Sequence, residues 1–271
     1  MPQYTAPIND MSFVLFDVLK AQDLSLCPGF EDANEEMIRA ILDEAAKLSE
    51  NILDPINQSG DIEGCHFDPE TKLVTTPKGF KEAYRAFADG GWSGLSASPE
   101  YGGQGLPSLV KIVVDEMACS SNLSMGMYPG LSHGAIDALT LHASEELKDK
   151  YLPNLIAGEW TGTMCLTEPQ CGTDLGLVRT KAEPQADGSY SISGTKIWIT
   201  GGEQDLVENI VHLVLAKLPG APDTSKGISL FLVPKFLDDG TRNPAFCGGL
   251  EHKMGIKASA TCVMNFEGAK G

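Results

Sequence analysis

Basic residues are scarce: 20 Lys and Arg stand against 37 Asp and Glu in 271 residues, a formal net charge of −17. No run of Lys or Arg offers the positive face that phosphate backbones require, which excludes nucleic-acid binding. Long apolar runs are also missing. Polar residues interrupt every apolar stretch within about ten positions, roughly half of a bilayer span, so no membrane insertion is expected. The N-terminus, Met1 to Ala6, lacks the basic and apolar regions of a secretory signal, and Asp10 and Asp17 without an early Arg speak against a mitochondrial presequence. The seven cysteines include no Cys-x-x-Cys spacing, and the five histidines form no i, i+4 pair and no His-x-Glu signature. Neither a disulfide framework nor a metal centre is therefore expected, and the reading is a reducing, cytoplasmic compartment.

The residues that remain describe a packed globular chain, 42% hydrophobic and 21% charged. Its first part has helical periodicity. Met37, Ile41, Ala45, Leu48 and Ile52 recur at spacings of three and four, as do Phe80, Ala83, Tyr84 and Phe87, and Leu109, Ile112, Val113 and Glu116. Ser144 is placed to cap a further helix, with Glu145 and Glu146 in its first turn. Near Trp160 the period falls to two, and segments rich in Thr, Val, Ile, Tyr and Trp follow. These predict strands over 161–167, 180–185, 190–200, 210–217, 228–233 and 260–266, with a hairpin turn at Asp187-Gly188. No strand alternates with a long helix, so a doubly wound parallel sheet is not expected. The fold class is α+β: an all-helical N-terminal domain with an N-terminal extension over residues 1–158, then an antiparallel β domain over 159–271.

Two segments have the composition of a site. In Met164-Cys-Leu-Thr-Glu-Pro-Gln-Cys-Gly-Thr-Asp174, a strand runs into a turn where Gly172 permits close backbone approach and Thr173 supplies a hydroxyl. The same residues also fit a plain strand end and Asx-type turn. In Gly194-Thr-Lys-Ile-Trp-Ile-Thr-Gly-Gly202, Trp198 and Thr200 share a strand face by period two, where an aromatic beside a hydroxyl can lie against a flat heterocycle or belong to the core.

Together these segments resemble the acyl-CoA dehydrogenase family, and Pro99-Glu-Tyr-Gly-Gly-Gln-Gly-Leu-Pro107 and Met254-Gly-Ile-Lys-Ala-Ser-Ala-Thr261 agree in the same order. Cys171 departs from the pattern, standing where a smaller residue is usual. The long N-terminal segment and the insert around Gly60–Thr76 resemble the larger bacterial branch that includes the 3-methylmercaptopropionyl-CoA dehydrogenases. The resemblance implies FAD as cofactor and conversion of an acyl-CoA thioester to the trans-2-enoyl-CoA. It implies that Met164, Leu166 and Thr167 line the flavin, with Thr167 at its pyrimidine side. Trp198 would cover one ring face and Thr200 would reach the N5 region, where a donor stabilises charge developing on reduction. Gly172 and Thr173 would hold the flavin diphosphate, with Thr173 also near the CoA pantetheine. The implied partners are acyl-CoA, an electron-transfer flavoprotein as acceptor, and a second or further copies of the chain in a homodimer or homotetramer.

The family's catalytic Glu belongs to a C-terminal helical domain, which on this reading follows Gly271, so no residue here is assigned catalysis and the segment alone is expected to be inactive. Glu168 is read as a turn residue rather than the base. A rival enzyme reading is a serine esterase, because Gly130-Leu-Ser-His-Gly134 satisfies the Gly-x-Ser-x-Gly elbow with Ser132 central, although Ser124–Pro129 is a poor strand. A third reading is a non-catalytic flavin- or CoA-binding homologue.

Overall fold

Short helical turns open the chain in a computed structural model, which describes residues 3–271: α1 (Ile8–Ser12), a π-turn over Phe13–Val18 and a 3-10 segment over Ala21–Leu26. The long helix α2 (Glu35–Leu48) begins at Asn34, whose side chain accepts the Met37 N–H at 2.9 Å. After α3 (Asn57–Glu63), a two-stranded hairpin of β1 (His66–Phe67) and β2 (Val74–Thr75) leads to α4 (Phe80–Asp89), α5 (Ser108–Ser121), α6 (Leu123–His142) and α7 (Glu145–Ile156). Ser144 caps α7 by accepting the Leu147 N–H at 3.4 Å.

The stripe on α4 is buried as its spacing requires, with Phe80, Ala83, Tyr84 and Phe87 all in the core. On α2 the expected Ala45 and Leu48 are buried and Ile41 packs against the core, but the buried arc is shifted toward Ile38 and Leu42 at the start of the helix. Ile38 and Leu42 are enclosed, whereas Met37 is 44% exposed, and Ile52, in the π-turn that follows α2, is 37% exposed. The reason is tertiary: α2 carries apolar residues over a broad arc, and Met11, Leu15 and Phe16 of the N-terminal segment cover one edge of it. On α5 the expected Val113 is buried and Leu109 packs against that cluster, which Val110, Val114 and Met117 also join, while Ile112 stays on the surface.

The second half is one seven-stranded sheet: β3 (Trp160–Cys165), β4 (Lys181–Pro184), β5 (Tyr190–Thr200), β6 (Asn209–Lys217), β7 (Ile228–Pro234), β8 (Ala245–Leu250) and β9 (Thr261–Lys270). Its order is β3-β6-β4-β5-β9-β8, with β7 paired to β6. Most pairings are antiparallel, but β3 runs parallel to β6 from Trp160↔Asn209 to Cys165↔Val214, and Lys181↔Lys217 joins β4 to β6 in the same sense. The expectation of an antiparallel domain is corrected on this point. A parallel pair needs a long crossover, and here the β4–β5 hairpin supplies it where sequence reading looks for a helix. Strand β8 escaped the sequence reading because Gly248-Gly249 interrupts its alternation.

The two halves meet where α6 lies on β3. Gly162 makes the approach possible, since a Cβ there would stand 2.4 Å from Ala135 Cβ. Tyr128 on α6 donates its hydroxyl to the Ala258 carbonyl at 3.0 Å and accepts the Ala260 N–H at 2.9 Å. Among the described residues no helix is long and apolar enough to cross a membrane.

Candidate functional site

Beyond the end of β3 the chain turns back on itself. Glu168 and Cys171 exchange backbone hydrogen bonds of 2.9 and 3.0 Å, and Asp174 accepts the Gly176 N–H at 3.2 Å to start a 3-10 turn. Glu168 is only 3% exposed. Five donors converge on its carboxylate: Thr180 Oγ1 at 2.5 Å, Thr180 N at 3.0 Å, Arg179 N at 2.7 Å, Gln170 Nε2 at 2.5 Å and Lys196 Nζ at 2.9 Å. Burial alone would raise its pKa, but the Thr180 hydroxyl, the Lys196 ammonium and the two backbone N–H groups outweigh it and hold the carboxyl at about 2. A carboxylate so engaged has no free lone pair for a substrate proton, in agreement with its reading as a turn residue.

Lys196 is wholly buried, and its ammonium also donates to the Leu166 carbonyl at 2.9 Å. One residue further along β5, the Ile197 N–H donates to the Thr167 carbonyl at 2.9 Å. These bonds bring the two sequence segments together, so that Leu166 and Thr167 stand against the 196–198 stretch. Sequence reasoning passed over Lys196. The available signal was a Lys in phase with buried Ile192, since an inward Lys in an alternating strand requires an anion.

Of the expected flavin-lining residues, Met164 is 37% and Trp198 59% exposed, and Leu166, Thr167 and Thr200 are half-buried. None belongs to a core cluster. Gly172 and Thr173 lie exposed in the turn, on the far side of the Glu168–Cys171 bridge. The nearest atom that a Cβ on Gly172 would meet is Thr167 Cγ2 at 4.0 Å, so no protein contact demands glycine there. The hydroxyls of Thr167, Thr173 and Thr200 take no part in the hydrogen bonds among the described residues, unlike that of Thr180 beside them. The candidate site is an open face. Cavities of about 720 Å³ between α7 and β7 and about 800 Å³ along the domain seam include none of these residues in their linings.

A second buried ion cluster follows β5 and borders the seam cavity. Glu203, 1% exposed, follows Thr200-Gly-Gly and accepts from Lys235 Nζ and, at 2.8 Å, from Arg242 Nη2. Gln204 beside it donates to Thr161 Oγ1 at 3.0 Å.

Ser132 has none of the geometry of an esterase elbow. It lies within α6, 3% exposed, donating to the Tyr128 carbonyl at 3.2 Å and accepting the Gly162 N–H at 3.0 Å. An elbow needs a strand before the serine and an exposed Oγ; here helix precedes it and the hydroxyl joins α6 to β3.

The acyl-CoA dehydrogenase N-terminal domain model matches residues 35–159 and the middle domain model matches residues 163–269. The chain belongs to the acyl-CoA dehydrogenase family. It is 44% identical to the 3-methylmercaptopropionyl-CoA dehydrogenase of Ruegeria pomeroyi over 99% of its own length and 46% of that protein's. It is 40% identical to the broad-specificity linear acyl-CoA dehydrogenase FadE5 of Mycobacterium tuberculosis, over 98% of its length and 44% of the relative's. The chain thus spans about half the length of the curated relatives it matches. An acyl-CoA dehydrogenase from Bacillus anthracis, solved in complex with FAD, shares the fold at a TM-score of 0.68 and 24% identity, over 89% of this chain and 37% of that one.

Proposed function

We propose that residues 1–158 and 159–271 form the N-terminal and middle domains of an FAD-dependent acyl-CoA dehydrogenase. The observation that carries this reading is the outward-facing Trp198 beside the unused hydroxyls of Thr167 and Thr200, joined to the β3 turn by the Ile197–Thr167 hydrogen bond. These groups fit a planar heterocycle: an aromatic for one ring face, apolar Met164 and Leu166 alongside, and hydroxyl donors for its polar edge. Gly172, which no protein contact requires, leaves room for a diphosphate, and Thr173 adds a donor there and toward pantetheine.

Bound FAD supplies a hydride acceptor. Thr200 would offer its hydroxyl where charge develops on reduction, and Thr167 would hold the pyrimidine edge. Removal of the substrate α-proton needs a carboxylate on the face opposite the flavin, and Glu168 cannot serve because its five donors hold it ionised and enclosed. We place the base in a part of the protein that corresponds to the half of the relatives not spanned here, so residues 1–271 alone bind but do not dehydrogenate. The 44% identity to the Ruegeria pomeroyi enzyme favours 3-methylmercaptopropionyl-CoA over a plain linear acyl-CoA. Electron-transfer flavoprotein as acceptor, a homodimer or homotetramer, and a cytoplasmic setting complete the proposal; the seven free cysteines support the reducing compartment.

Single-turnover bleaching of oxidised FAD by a panel of acyl-CoAs tests the reading. The expected result is bleaching in the whole enzyme, fastest with 3-methylmercaptopropionyl-CoA, and none with residues 1–271. Bleaching by residues 1–271 that disappears in Glu168→Gln would put the base in this chain.

A further inference from the structure

Trp198 has φ of +60°, the left-handed region that bulky aromatics rarely enter. The strand explains why the chain bends there. Ile192 and Lys196 point to the buried side of β5, and strict alternation would send Trp198 and Thr200 after them into the core. Instead, β5 runs from Lys196 to Ile199 while β9 runs only from Met264 to Cys262, a bulge of one residue. The extra residue reverses the phase. Ile199 becomes the buried position at 3% exposure, and Trp198 is turned out to 59%. A strained backbone of this kind persists only when its surroundings over-determine it.

Both ends of the strained segment are held by buried charge. Ahead of it, Lys196 is fixed by Glu168 and the Leu166 carbonyl, and Glu168 in turn by Arg179 and Thr180. Behind it, Glu203 is fixed by Lys235 and Arg242, and its N–H donates to Cys262 Sγ at 3.3 Å. Only residues 197–202 separate the two clusters. Neither carboxylate can leave its cations without stranding a buried charge, so the ends of the segment cannot slide back into regular register.

We infer that the Lys196–Glu168 pair and the Glu203–Lys235–Arg242 cluster are paired anchors that hold residues 197–202 in the bulged form and thereby present the Trp198 ring and the Thr200 hydroxyl to a planar heterocycle. Lys196 and Glu203 are positioning residues. That the heterocycle is FAD rests on the proposed function; the mechanics of the bulge do not.

The test uses protein labelled with 5-fluorotryptophan, in which the ¹⁹F resonance of Trp198 reports solvent exposure through its H₂O/D₂O isotope shift. The double variant Glu168→Gln/Lys196→Met removes one anchor without stranding a charge. Its Trp198 resonance loses the isotope shift as the strand regains regular alternation, and FAD affinity falls about tenfold or more. Should the double variant fail to fold, Glu203→Gln/Lys235→Met, which removes the other anchor's buried pair together and leaves only the partly exposed Arg242 without a carboxylate, is measured in the same way. A folded variant whose Trp198 keeps the full isotope shift overturns the inference. So does one that loses the shift yet binds FAD with unchanged affinity. If the shift is lost but the unsubstituted protein takes up no FAD, the anchors stand and the flavin reading fails.

Discussion

Replacing Lys196 with Met leaves Glu168 buried at 3% exposure without its cation, although the Thr180 and backbone donors remain. Breaking one side of a buried ion pair costs about 3–5 kcal/mol at neutral pH, because the surviving charge is stranded. The folded-state carboxyl shows the scale of the whole network. A pKa of about 2 against an ordinary 4.5 corresponds to about 3 kcal/mol of stabilisation from the Thr180 hydroxyl, Lys196 and the backbone N–H groups together, net of burial, of which Lys196 supplies one part. Since this pKa is depressed, the contribution is complete above the ordinary value of 4.5 and is lost as the pH falls toward 2. Losing the cation raises the folded-state pKa in the variant, so its carboxyl takes up a proton sooner on acidification. Urea unfolding of both proteins at about pH 7 and about pH 3 should therefore show a gap of several kcal/mol that narrows in acid. A gap below about 1 kcal/mol at neutral pH, the size of an exposed pair, would refute the argument, as would one that widens in acid.

Thr167→Ala in the FAD-loaded protein should weaken flavin retention by about 1–3 kcal/mol, read by equilibrium dialysis; unchanged retention removes Thr167 from the site. Gly162→Ala forces a Cβ to within 2.4 Å of Ala135 Cβ, and the melting temperature should drop by the equivalent of about 1–3 kcal/mol; an unshifted melt would contradict the close packing of α6 on β3. Ser132 should resist a fluorophosphonate probe, while Ser132→Ala destabilises by about 1–3 kcal/mol because the Gly162 N–H loses its acceptor; labelling at Ser132 would revive the esterase reading.

The division into a helical half and a strand-rich half was legible because periodicity records which face is buried, and α4 illustrates this. What periodicity does not record is which edge of a broad apolar arc a neighbour will cover. On α2 that neighbour is the N-terminal segment around Leu15 and Phe16, which brings Ile38 and Leu42 into the core beside the expected Ala45 while Met37 stays exposed. Strand identity was similarly legible, but pairing sense was not, since the parallel β3–β6 contact depends on where the β4–β5 hairpin crosses. At the candidate site, the outward position of Trp198 was inferred on a regular alternation that the strand does not have. The bulge that turns it out is set by long-range partners, Glu168 for Lys196 and Lys235 with Arg242 for Glu203, which no local pattern pairs.

The most direct measurement is a titration of the flavin-free protein and its Trp198→Ala variant with FAD, following both flavin and tryptophan emission. Stacking of Trp198 on the ring predicts saturable uptake with quenching of both signals, and in the variant weaker uptake with most of the flavin quenching gone. Equal affinity and equal quenching in the two proteins, or no uptake by either, would contradict a flavin on this face.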